Sequence, residues 1–165
     1  MNETTEYFAM LDRVAKATNE LPRIIATEAV NFSKERFRAQ NWVDFATEPW
    51  RPRKTVKGVS RRRSRRAILV DTGRLRRSIR VVSVSSEAVV IGTDVPYAQA
   101  HNDGFSGTVK QNVKAHQRRG RPVRAHTRNA NIRIPRRRFL GQSMVLEAKL
   151  NRVANARLIR AIKGN

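Results

Sequence analysis

The chain contains no cysteine, which removes disulfides, thiolate nucleophiles and cysteine-based zinc sites together. No apolar run approaches the length that crosses a bilayer, and residues 1 to 6 are polar and acidic where a leader peptide would be basic. The expectation is a soluble, non-secreted protein made in a reducing cytoplasm, with no membrane partner. Acidic groups are also scarce, 13 Asp and Glu against 35 Lys and Arg, with 3 His. Metal-dependent hydrolysis needs several converging ligands. His101, Asn102 and Asp103 superficially invite that reading, but Asp71, Asp94 and Asp103 fall at expected turns with no motif joining them. His116 and His126 sit among arginines, which repel a cation. No catalytic residue, metal or cofactor is therefore assigned, and a non-enzymatic role is expected.

What the sequence has in excess is positive charge, formally +22, and it is unevenly placed. Residues 1 to 50 hold six basic and eight acidic side chains. Residues 51 to 80 hold thirteen basic and one acidic, and residues 81 to 109 hold three acids and no Lys or Arg. Residues 110 to 138 then carry eleven basic residues and no acid. Two blocks so charged repel one another in an isolated chain and must be solvated, mobile, or neutralised by nucleic acid or an acidic protein. Neither block contains Phe, Trp or Tyr, so neither offers the stacking platforms that single-strand recognition uses.

At 165 residues with 39% apolar composition, the chain is long enough for one domain around one core. Within it, residues 1 to 40 read as helical. Tyr7, Phe8, Leu11 and Val14 recur at helical spacing, and Pro22 suits the first turn of a second helix carrying Ile25, Ala29, Phe32 and Arg36 on one face. This predicts helices over 4–18 and 22–38, with one long helix kinked at Pro22 as the alternative. Residues 41 to 67 lose periodicity and read as a long basic loop. Residues 68 to 104 read as a short helix from Thr72, capped by Asp71, followed by a β-hairpin of 79–84 and 88–93. Neither strand alternates cleanly, which predicts that at least one is covered on both faces. Residues 105 to 133 form a basic loop or a long β-arm, and residues 134 to 163 form the C-terminal helix region. There Leu146, Leu150, Val153, Ala154, Leu158, Ala161 and Ile162 make a stripe, with Ser143 as cap. The fold class is α+β: a small antiparallel sheet packed by N-terminal helices and a long C-terminal helix.

An ordered series of short motifs runs through the same residues. Trp50, Arg51 and Pro52 come first, then Leu69 to Ile79 containing Asp71, Gly73 and Leu75, then Val90 to Thr93 leading into Tyr97, Ala98, His101 and Gly104. Ile134, Pro135, Arg136, Arg137, Arg138, Phe139, Leu140 and Gly141 close the series before the last helix. This order resembles the phage virion morphogenesis family, the tail-completion and neck proteins of tailed bacteriophages, over about residues 45 to 163. The resemblance implies an α+β fold, no catalysis, and a homo-oligomeric ring in the virion at the head-tail junction or tail end, assembled in the host cytoplasm. Its implied partners are neck, portal, head-closure or tail proteins, with non-specific contact to packaged double-stranded DNA.

The motif residues also have local meanings. Gly73 suits a turn at a helix start, Leu75 and Ile79 share a face, and Tyr97 is expected in the core. Pro135 and Phe139 anchor the chain before the last helix. Arg138 is either a carboxylate partner within the fold or a contact across a ring interface. Arg61, Arg62, Arg63, Arg65 and Arg66, with Arg74, Arg76 and Arg77, are the candidate contacts to a partner or to DNA, where phosphate binding would be sequence-independent and salt-sensitive. The rival reading is a basic nucleic-acid-binding protein outside any virion, supported by charge alone.

Overall fold

A computed structural model of the chain describes residues 2–53 and 66–164. Arg61, Arg62, Arg63 and Arg65, in the second half of the expected basic loop, lie outside the described residues. The first element is a single helix, α1 (Glu3–Ala39), rather than two. It is about 55 Å long at 1.5 Å per residue, and Pro22 lies inside it. An interior proline removes one backbone hydrogen bond, and here a second helix bridges the weak point. The C-terminal helix, α4 (Met144–Lys163), runs antiparallel along α1. Lys149 pairs with Glu28 at 2.7 Å, Arg157 with Glu20, and Arg13 Nε donates to the Ala161 carbonyl at 3.0 Å. Contacts on both sides of Pro22 thus splint the two halves of α1.

Gln40 ends α1 in a left-handed conformation, φ 55°. Residues 41 to 49, expected as part of a loop, instead form a tight hairpin of β1 (Asn41–Val43) and β2 (Thr47–Pro49). Its purpose is visible in Trp42, which is buried edge-on against Phe32 with ring centroids 5.7 Å apart. Beyond the undescribed stretch, a short helix α2 (Arg74–Ser78) starts later than expected. Asp71 does not cap it: its carboxylate pairs with Arg66, while Thr72 Oγ1 accepts from the Arg74 amide at 3.3 Å. Gly73 occupies the turn at φ 75°, where a Cβ would sit 2.7 Å from Arg77 Nη1. The expected hairpin follows as β3 (Arg80–Val84) and β4 (Val89–Gly92). Neither strand is covered on both faces; one side rests on α1, and Val82 and Val90 on these strands are exposed. The imperfect alternation comes from a bulge between Val81 and Ser83, which shifts the register.

After α3 (Ala98–Asp103), the stretch left open between loop and arm is an arm. β5 (Phe105–Val113) and β8 (His126–Ile134) pair through nine registered positions, and β6 (His116–Arg118) with β7 (Arg121–Val123) forms the tip around Gly120. The architecture is α+β, and among the described residues its antiparallel structure is divided among four two-stranded ribbons.

The core lies at the C-terminal end of α1. Val30, Phe37, Trp50, Leu75, Ile79, Val95, Ala98 and Phe139 form one buried cluster. Phe37 is its centre, 5.4 Å from the Trp50 ring and 5.0 Å from Phe139. Ser143 caps α4 as expected, accepting from Leu146 N, and Gly164 ends it. The predicted stripe faces α1 as far as Ala161, but no residue of α4 is fully buried and Ile162 is exposed.

Candidate assembly surfaces

The motif residues come together around the root of the arm. Trp50 is buried, and its Nε1 donates to the Arg138 carbonyl at 2.9 Å. Arg137 is also buried, donating from Nε to the Arg51 carbonyl at 3.0 Å and from Nη2 to that of Pro52 at 3.4 Å. Its own amide donates to the His101 carbonyl at 2.8 Å. The Trp50 to Pro52 motif and the Arg136 to Leu140 motif, far apart in sequence, are therefore one strap. Asn102 locks the strap to α3: its Oδ1 accepts from both Phe139 N and Leu140 N at 2.9 Å. On the other side, the Ser33 hydroxyl on α1 donates to the Phe139 carbonyl at 2.6 Å.

Two glycines at this root have positive φ, and one of them is also held by close approach of backbone. Gly104 has φ 83°, and a Cβ there would lie 3.1 Å from Arg136 N and 3.3 Å from the Ile134 carbonyl. Gly141 has φ 143° and would place a Cβ 2.5 Å from Arg138 Nη2. The Arg138 guanidinium is there because it lies over the Trp42 ring, 4.8 Å from its centroid. Arg138 makes no ion pair among the described residues; of the two expected roles, a carboxylate partner within the fold is not found there, and its guanidinium meets an aromatic face instead.

Tyr97 is a correction: it is 43% exposed, outside the core, with its ring edge-on to His101 at 5.9 Å. The buried member of that helix is Ala98. His101 is half-buried with Nδ1 unpartnered, and its pKa lies below the ordinary histidine value, first through desolvation and then through the Arg137 charge. Pro135 is half-buried, and Leu140 packs against the core that Phe139 enters. Sequence reasoning missed Ser33, Gln40, Asn102 and Arg137 as tie points. The Gln40 side-chain amide accepts from Ile68 N at 2.6 Å and donates to the Ile68 carbonyl at 3.2 Å. A polar residue within the apolar stripe of α1, or just past its end, was the available signal for Ser33 and Gln40.

The basic residues sort into separate surfaces. Arg74, Arg76 and Arg77 are exposed on α2. A cleft of about 1050 Å³ beside the arm root is rimmed by Arg51, Arg53, Arg133 and Arg136, with Glu48 and Asp103 also on its wall. The arm carries a third set, with Lys114, Arg118, Arg119, Arg121 and Arg124 exposed around its tip. Among the described residues no group of three or more His, Cys, Asp or Glu is placed to hold a metal ion. No helix among them is long and apolar enough to cross a membrane.

The model of the phage virion morphogenesis family matches residues 1–158. The chain belongs to that family. Membership establishes a role in phage virion morphogenesis. The match takes in α1, which the motif series had left out, and that agrees with Ser33, Phe37 and Gln40 of α1 holding the motif residues in place. No curated protein and no solved structure significantly matches the chain.

Proposed function

We propose that this protein is a ring component at the head-tail junction or tail end of a tailed phage, joining neighbours through its arm and basic surfaces. The observation that carries the reading is the arm itself. β5 and β8 contribute nine residues each, and not one is buried. A ribbon this long, exposed on both faces, adds nothing to the core; in a virion morphogenesis protein its use is to reach another molecule. The cation-rich tip and the Arg61 to Arg66 cluster supply the electrostatic part of that contact, set against acidic portal, neck or tail surfaces or against packaged DNA. Catalysis plays no part in this reading.

The test is charge reversal in a phage that encodes the protein. Arg61, Arg62, Arg63, Arg65 and Arg66 changed to Glu should leave the circular dichroism spectrum unaltered. Infected cells should then accumulate separate full heads and tails, seen by electron microscopy. A wild-type yield of infectious particles would show that the cluster has no assembly role. Normal particles from cells lacking the protein altogether would remove the head-tail reading.

A further inference from the structure

The arm has an apolar face that no other described residue covers. In an antiparallel ribbon, directly paired residues point to the same side, and alternate residues share a face. The pairs Phe105–Ile134, Gly107–Ile132 and Val109–Ala130 therefore lie on one face, while Ser106–Arg133, Thr108–Asn131 and Lys110–Asn129 lie on the other. The Phe105 ring lies over Gly107, continuing the apolar surface across the missing side chain. Phe105, Val109 and Ile132 are 39%, 37% and 36% exposed. Arg128, paired with Gln111, follows on the same face and begins the cationic tip.

A second unpartnered apolar surface lies at the far end of the molecule. α4 ends beside Arg13, where Gly164 approaches the Arg13 guanidinium. The part of α1 before Arg13 therefore runs past the end of its packing partner by about 15 Å. It carries Tyr7, Phe8 and Leu11, which are 56%, 60% and 41% exposed. At 3.6 residues per turn these three form a stripe with Glu3 on one side and Asp12 on the other. An apolar stripe edged by acids is the complement of an apolar ribbon edged by arginines.

We infer that the arm of one copy docks its Phe105–Val109–Ile132 face on the Tyr7–Phe8–Leu11 stripe of a second copy, with Glu3 and Asp12 against the arm's cations. This deepens the ring reading above, because it names the two surfaces through which like copies join. The arm is rooted beside Phe37 and Phe139, whereas the stripe is more than five helical turns away along α1. Two different surfaces in contact make a head-to-tail interface, which closes into a ring or extends as a filament. Like charges within the net +22 chain are also relieved where one copy's cations meet another's acids.

The absence of native cysteine makes the test direct. The full chain carrying both Phe8→Cys and Val109→Cys is purified and oxidised, then run on a non-reducing gel. A ladder of covalent multimers is expected, with no ladder and no dimer from either single variant. Dimers from Val109→Cys alone would mean arm-to-arm pairing, and dimers from Phe8→Cys alone would mean helix-to-helix pairing; either overturns the inference. A cyclised monomer, showing that the arm folds onto its own α1, overturns it as well. So does the absence of any link, which would leave both faces to other virion proteins. Because the gel is read on isolated chains, it can fail while the head-tail phenotype stands, and the phenotype can fail while the ladder forms. A second pair, Leu11→Cys with Ile132→Cys, guards against a local folding defect and should give the same ladder.

Discussion

Asn102 does at one atom what several motif residues do together, because its single carbonyl oxygen satisfies the amides of both Phe139 and Leu140. Leaving buried amides unpaired costs about 1–3 kcal/mol each, so this residue fixes where the strap enters the core. His101 next to it has a different consequence. Its folded-state pKa is depressed, so the unfolded chain takes up a proton before the native state does. Its share of stability is complete above the unfolded value and is lost as pH falls from there toward the depressed folded value. Urea unfolding should therefore show lower stability at pH 5 than at pH 7, and His101→Gln should shrink that difference. An unchanged pH dependence in the variant would show that His101 titrates alike in both states. The tie made by Asn102 left no signal in the sequence, where it stood only between His101 and Asp103 in a superficially metal-like set.

The core cluster and the arm are carried by different elements. Phe139 is fully buried against Phe37, and Phe139→Ala should cost about 4 kcal/mol through the cavity it leaves. Replacing residues 107–131 by a short glycine-serine turn should cost far less, because the excised segment has no buried residue. Thermal melts of the two variants would compare them: a sharp melt near the wild-type temperature is expected for the armless chain. Loss of cooperative melting on excision would instead make the arm part of the folding unit. The elements were legible where periodicity was strong. Ser143 and Gly164 bracket α4 as its sequence predicts, whereas the scattered Val109, Val113, Val123 and Ile132 left residues 105–133 open between loop and arm until the nine registered pairs decided it. The β1–β2 hairpin was not legible, because three-residue strands hold too few side chains to show a period. Its Trp42 earns burial from Phe32 and Arg138, which are distant or undistinguished in sequence.

At the scale of the whole molecule, charge is the dominant force left uncompensated. Five ion pairs are found among the described residues, several of them exposed, and exposed pairs contribute little. A chain at +22 should therefore be limited by self-repulsion, which salt screens: the Debye length falls from about 10 Å at 0.1 M to about 3 Å at 1 M. The Tm measured by circular dichroism should rise between low and high sodium chloride. A falling Tm would show that the few attractive pairs outweigh the repulsion. The same screening should weaken any contact that the basic surfaces make with acidic partners, so salt should stabilise the monomer and disfavour its assemblies.

The sequence by itself determined the charge blocks, the α+β class, the C-terminal helix and its caps, and the motif order that placed the chain among virion morphogenesis proteins. These are local or compositional properties, carried by neighbours within a few positions of one another. Only the tertiary structure decided that Pro22 lies inside one unbroken helix, because the splint is α4, more than a hundred residues later in the chain. It likewise decided that Tyr97 faces outward, that Arg138 answers to an indole, and that Arg137 ties the two ends of the motif series together. Each of those outcomes depends on which distant surface fills the space around a side chain, and packing at long sequence separation leaves no period in the sequence to read.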